Sequence, residues 1–188
     1  MSDYTELEAI SRARQDPNGC HGYDHTERVI QLCEVLGIEY NADMAVLMPA
    51  AILHDIGRAN DDHASHGALQ VRKILMDRVW DLAIIEGVVH AIEVHSFSAG
   101  GEAKTLEARI LSDADKIDAM GAVGVYRAAQ YGVEHSRPIE DFISHFHEKL
   151  LKLKDMLYTD MAKEMAEKRQ EFMLSYLEQI GKELKGLV

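Results

Sequence analysis

The segment Ala50-Ala51-Ile52-Leu53-His54-Asp55-Ile56-Gly57-Arg58 ends an apolar run with an imidazole beside a carboxylate. A carboxylate removed from water without a partner costs several kcal/mol, so Asp55 needs a positive neighbour, and a metal ion held jointly with His54 would be one. One His and one Asp leave a divalent ion short of the roughly four to six donors it needs, so further ligands are sought on both sides. Upstream, His21-Gly22-Tyr23-Asp24-His25-Thr26-Glu27-Arg28-Val29 puts an imidazole in the first turn of a helix, with Arg28 three residues on and on the same face. Downstream, Leu111-Ser112-Asp113-Ala114-Asp115-Lys116-Ile117-Asp118 supplies acids at what reads as a helix start. Asp113 suits a cap there. Asp115 and Asp118 share a face at i and i+3, where Ile117 and Met120 imply packing into a core.

Helices must position these groups. Three prolines in 188 residues, with Ala, Leu, Met, Glu and Lys abundant, favour an all-α fold, and the length is that of one compact domain. The expected domain spans 1–188, with a motif-bearing core at about 20–131 and C-terminal helices over 138–188 packing on it. A first helix is expected near 3–15, then the turn Asp16-Pro17-Asn18-Gly19 and a helix capped by Asp24 that runs to Gly37. Met44–Leu53 is apolar almost all round and reads as a buried central helix, with Pro49 interrupting it or starting its second half. A polar loop at 57–62 leads to a helix presenting Ala68, Val71, Ile74 and Leu75, and another follows over about 79–94. Ser96–Gly101 reads as a lid or substrate loop. Two helices over 103–131 are expected to separate near Ser112. Residues 159–184 have the helical spacing of a packing or dimerising element, which makes a homodimer possible.

His25 with Arg28-Val29, then His54-Asp55-Ile56-Gly57, then Asp115 within Asp113–Asp118 together resemble, in order and spacing, the HD-domain metal-dependent phosphohydrolase superfamily. The resemblance covers about residues 20–131, and His66-Gly67-Ala68 and His95-Ser96-Phe97-Ser98 are similar to text in its small stand-alone members. It implies an HD-domain helical bundle with additional C-terminal helices, and His25, His54, Asp55 and Asp115 as ligands of one divalent ion. Asp113 and Asp115 lie about 200° apart around a helix and cannot both face one ion. Asp115, followed by Lys116, matches the family pattern. His25, in register with Arg28 and Val29, takes the ligand role before His21, which is left beside it or on the substrate. Manganese is the family-weighted ion, with nickel, iron, magnesium and zinc open. In two-metal members extra histidines hold the second ion, so His90 and His95 are candidates for that, or for substrate binding and protonation of the leaving group.

An ion so held keeps open positions for water and lowers its pKa towards about 7. The expected reaction is attack of that metal-bound water on a small phosphate ester or anhydride, with a nucleotide as the substrate. Arg28, Arg58 and Lys116 would meet the developing negative charge, Asp55 would also orient the water, and Asp118 would contact the substrate or the ligand shell. A formal charge of -12 argues against nucleic acid as a partner, and no run approaches the roughly 18 apolar residues of a membrane span. The expected location is cytoplasmic, with Cys20 and Cys33 as free thiols. His63, His135, His145 and His147 match no motif and read as solvated or locally bonded. Two other readings stay open: a non-catalytic metal or nucleotide sensor, and a di-iron oxygenase on the same fold with His90 and His95 holding a second iron.

Overall fold

The computed structural model describes residues 4–16, 19–57, 63–96 and 101–187, apart from the side chain of His63. Among these residues the regular structure is entirely helical: α1 (Thr5–Arg14), α2 (Tyr23–Glu39), α3 (Met44–Leu53), α4 (His63–Met76), α5 (Leu82–Val94), α6 (Leu106–Asp118), α7 (Gly121–Glu134), α8 (Ile139–Glu148) and α9 (Asp160–Glu183), with a 3-10 segment at Leu150–Met156. The all-α class predicted from composition is therefore the observed one. No helix among the described residues is long and apolar enough to cross a membrane. The 57–62 loop and the expected lid fall largely outside the described residues: of these two stretches only Gly57, Ser96 and Gly101 are described.

Two compact units divide the chain, Met1–Asp115 and Lys116–Val188. In the first, α3 is the centre, with α1, α2 and α5 packed against it and α4 against α5. Every residue from Val46 to Leu53 is buried, so a helix with no polar face is what this position requires. Asp43 starts it by accepting the Ala45 N–H, and the helix runs through Pro49 without a break. Asp81 starts α5 in the same way, accepting from Ala83 and Ile84. Cys20 and Cys33 are buried thiols, not joined in a disulfide. In the second unit α7 packs against α8 and α9.

Three local expectations are corrected. Gly22, not Asp24, occupies the N-cap of α2, and the Asp24 carboxylate accepts from Arg28 one turn later. Ser112 does not separate two helices, because its hydroxyl is bonded across to the His95 carbonyl and α6 runs past it. The break comes at Ala119-Met120, where Gly121 takes φ +70 and starts α7. Consequently Asp113 caps nothing: it lies mid-helix and fully buried.

Candidate metal centre

His54 and His95 occupy the same kind of position, the residue that closes a helix at its C-terminal end. The last four carbonyls of a helix have no partner within it, and here two side chains and one backbone N–H take up bonding capacity at the end of α3. His54 Nδ1–H donates to Ala51 O at 2.8 Å, the Ser11 hydroxyl to Ile52 O at 2.6 Å, and Ile56 N–H to Leu53 O at 3.3 Å. His95 Nδ1–H donates to Ile92 O at 2.6 Å, again three residues back, while the His95 carbonyl accepts from Ser112 at 3.2 Å. A carbonyl only accepts, so Nδ1 carries a proton in both rings and Nε2 is the atom that each ring turns towards the site.

Those nitrogens converge. His54 Nε2 lies 3.3 Å from His25 Nε2, which reaches inward from the first turn of α2. The His25–His54 and His54–His95 ring centroids are both 5.2 Å apart, with the rings edge to face. Asp55 sits among them, Oδ2 at 3.7 Å from His25 Nε2 and 3.9 Å from His54 Nε2, Oδ1 at 3.9 Å from His95 Nε2. Asp115, on α6, places Oδ1 3.4 Å from His25 Nε2. Donors bound about 2.1 Å from one ion at tetrahedral or octahedral angles stand roughly 3.0–3.4 Å apart. The observed spacings start in that range and exceed it by half an ångström at most, so the donor set fits a divalent cation. Two groups meet the geometric requirement among the described residues: His25, His54 and Asp115, and His54, Asp55 and His95.

The electrostatics suit ligation. His25, His54, Asp55 and His95 are at most 1% exposed, whereas the Asp115 side chain, at 24%, forms the open side. Burial pushes His54 down to about 4 against the opposing pull of Asp55, with His95 and His25 adding to the depression. Its ring is therefore neutral, as a ligand must be, at physiological pH. Burial alone would raise the Asp115 carboxyl. The hydrogen bond from His25 and the surrounding imidazoles hold it well below the usual range, as a carboxylate.

The other sequence candidates are placed differently. Arg28 is partly exposed and donates to Asp24 at 2.7 Å. Lys116 is buried, and Asp118 is buried against Arg127 at 2.9 Å within the second unit. Arg58 lies outside the described residues. His21 meets His25 edge to face at 6.3 Å, and the exposed His66 precedes Gly67, which lies close to the His54 carbonyl and Gly57. His90 Nε2 accepts from the Lys104 N–H at 3.1 Å and belongs to neither donor group. Sequence reasoning missed Ser11 and Ser112. Ser11 had a faint signal, since it lies four residues after Leu7 on the face that α1 buries.

Known proteins share this arrangement of chain and helices. A family model for the HD domain matches residues 22–120, more than half of the chain. The protein YpgQ of Bacillus subtilis is 30% identical over 193 residues, covering 92% of this chain and 88% of its own length. A crystal structure of YpgQ in complex with ADP superposes with a TM-score of 0.83, covering 99% of this chain and 100% of that one at 29% identity. A Lactobacillus plantarum protein gives 0.84 at 27% identity over 99% and 100% of the two chains. An HD-superfamily hydrolase from Bacillus thuringiensis gives 0.76 at 29% identity, over 96% of each. With the paired His54-Asp55 inside the matched region, the chain belongs to the HD-domain family.

Proposed function

We propose that this protein is a divalent-metal-dependent phosphohydrolase acting on a small nucleotide phosphate, with His25, His54, Asp55 and Asp115 holding the ion. The observation that carries this reading is the approach of four side chains from three separate stretches of chain, their donor atoms 3.3–3.9 Å apart in steps from one to the next. The ADP in the YpgQ structure supports a nucleotide as the ligand, and relatives described as HD-superfamily hydrolases support hydrolysis. When bound, a divalent ion acidifies a water and offsets charge on a phosphoryl oxygen.

The chain's own residues supply the rest. The helix-end carbonyls fix the His54 and His95 rings, so their Nε2 atoms face the centre without reorganisation. The two carboxylates bring the negative charge that selects a cation. His95 Nε2 faces Asp55 and serves as a contact for the substrate or its leaving group. Arg28, Arg58 and Lys116 are assigned to phosphate charge, and Asp118 to holding Arg127. Manganese is the proposed ion. The second donor group, which shares His54, favours a two-ion alternative in which His95 becomes a ligand.

A phosphate-release screen over nucleoside mono-, di- and triphosphates with Mn, Ni, Mg and Zn tests the proposal, with His54→Ala as the control. Turnover that needs both the metal and His54 is the expected result. Nucleotide binding without release under every metal would replace the enzyme with a sensor, and two metal ions per chain would favour the two-ion form.

A further inference from the structure

His25 and His54 come from different helices, yet their Nε2 atoms must keep a separation near 3.3 Å to share an ion. The apolar packing of α2 on α3 does not fix this, because burial of apolar surface is non-directional and tolerates small slides. Directional contacts are needed, and the first unit contains a continuous chain of them. Thr26 Oγ1–H donates to Gln15 Oε1 at 2.9 Å, Gln15 Nε2–H to Ser11 Oγ at 3.1 Å, and Ser11 Oγ–H to Ile52 O at 2.6 Å. Its direction is determined throughout. The Ile52 carbonyl can only accept, so the single Ser11 proton points there. Ser11 must then accept from the Gln15 amide nitrogen, which turns the Gln15 oxygen towards Thr26. One end of this chain is the residue after His25, and the other lies two residues before His54. Ser11 and Thr26 are fully buried and Gln15, which joins them, is half-buried, so water is kept from the Ser11–Ile52 bond in particular.

From this juxtaposition we propose that α1, which precedes the matched region 22–120, is a positioning element for the metal centre, with Ser11, Gln15 and Thr26 setting the register of α2 against α3. The inference rests on the metal-site reading above and concerns residues that touch neither metal nor substrate. A helix that merely covered the core would contribute stability through Leu7 and its neighbours alone. A relay ending beside two ligands contributes to metal affinity as well, and perturbing such supporting hydrogen bonds typically costs about 10- to 100-fold there.

The test uses the full chain, stripped of metal, with Mn2+ as the probe. Free aquo-Mn2+ is followed by electron paramagnetic resonance, and the same metal-free samples are melted thermally. The expected result for Ser11→Ala and for Thr26→Val is a Mn2+ Kd raised about tenfold. Either change severs the same chain, so the double variant is no weaker than the worse single one. Thr26→Ser keeps the donor and binds within about twofold of the wild type. Affinities unchanged in both single variants, with only the melting temperature lowered, would overturn the proposal. So would a double variant whose loss is the product of the two single losses. Thr26→Val preserves shape and carries the test if Ser11→Ala unfolds. A wild type that binds Mn2+ no better than His54→Ala would instead refute the metal site itself, and the relay with it.

Discussion

Asp55 in the first unit and Asp118 in the second are both buried carboxylates at helix C-terminal ends, yet their surroundings differ in kind. Asp118 closes α6 against Arg127 Nη1 at 2.9 Å, and Arg169 donates to the neighbouring Ile117 carbonyl at 2.6 Å. A negative group at the negative end of a helix dipole is doubly unfavourable, and guanidinium groups answer both problems. Asp55 faces the Nε2 atoms of His25, His54 and His95 at 3.7–3.9 Å, and burial keeps His54 neutral. Arginine never gives up its charge, so it closes a structural carboxylate permanently. A neutral imidazole such as His54 leaves a carboxylate ready for a cation that can be exchanged.

The sharpest way to break this contrast is to neutralise each carboxylate in turn. Asp55→Asn should weaken Mn2+ binding by at least about 100-fold, measured by calorimetric titration, because it removes a ligand charge rather than a supporting bond. Its metal-free form should melt no lower than the wild type, since an amide is easier to bury than a carboxylate. Asp118→Ala should do the reverse. Leaving Arg127 buried without its counter-charge costs about 3 kcal/mol in urea unfolding, with Mn2+ affinity within about twofold. Loss of turnover in Asp118→Ala at full metal occupancy and normal fold would return Asp118 to the substrate.

pH offers a graded version of the same test. His54 titrates at about 4 in the folded metal-free protein and near 6.5 when unfolded. As pH falls, the unfolded chain takes up this proton first. The contribution to stability is therefore complete above pH 6.5 and is lost progressively down to about 4, amounting to roughly 3 kcal/mol at most. His54→Asn should flatten that part of the unfolding free-energy curve. The depressed Asp115 carboxyl acts in a lower window, its contribution present above about pH 4 and lost below it. Partial burial, with Lys149 and Arg137 near, lowers His145 in the second unit too, so the slope that His54→Asn removes isolates the site's share.

How much of this was legible in the chain follows from where each signal lives. The apolar surface of Met44–Leu53 foretold a central helix, and Pro49 did not end it because the helix tolerates one missing N–H when its flanks are packed. The coming together of His25, His54 and Asp115 was legible through residue type and order. What places His95 beside them, a ring turned by its bond to Ile92 O, depends on where α5 ends, and terminal residues are the least readable part of a helix. Ser112 misled for a related reason: serine commonly marks a boundary, but its bond here is to a carbonyl distant in sequence. Asp113 was read as a cap only because α6 was expected to begin late; with the helix starting at Leu106, the same residue is interior.

The smallest effect concerns Gly121, where the second unit turns from α6 into α7 at φ +70. A Cβ there would pay the left-handed backbone cost, about 1 kcal/mol, and stand 2.9 Å from Arg169 Cγ. That contact is with a flexible side chain, which can swing aside, but the swing disturbs the bond to the Ile117 carbonyl. Gly121→Ala should thus lower the melting temperature by about 2–4 °C. Its Mn2+ affinity should stay at the wild-type value, because the arginine clamp closes a structural helix end whereas the proposed ligands His54 and His95 are oriented by carbonyls of the first unit. A parallel fall in Mn2+ affinity would mean that Arg169 also governs the ligand on α6, and the division between permanently closed and exchangeable carboxylates would no longer follow the two units.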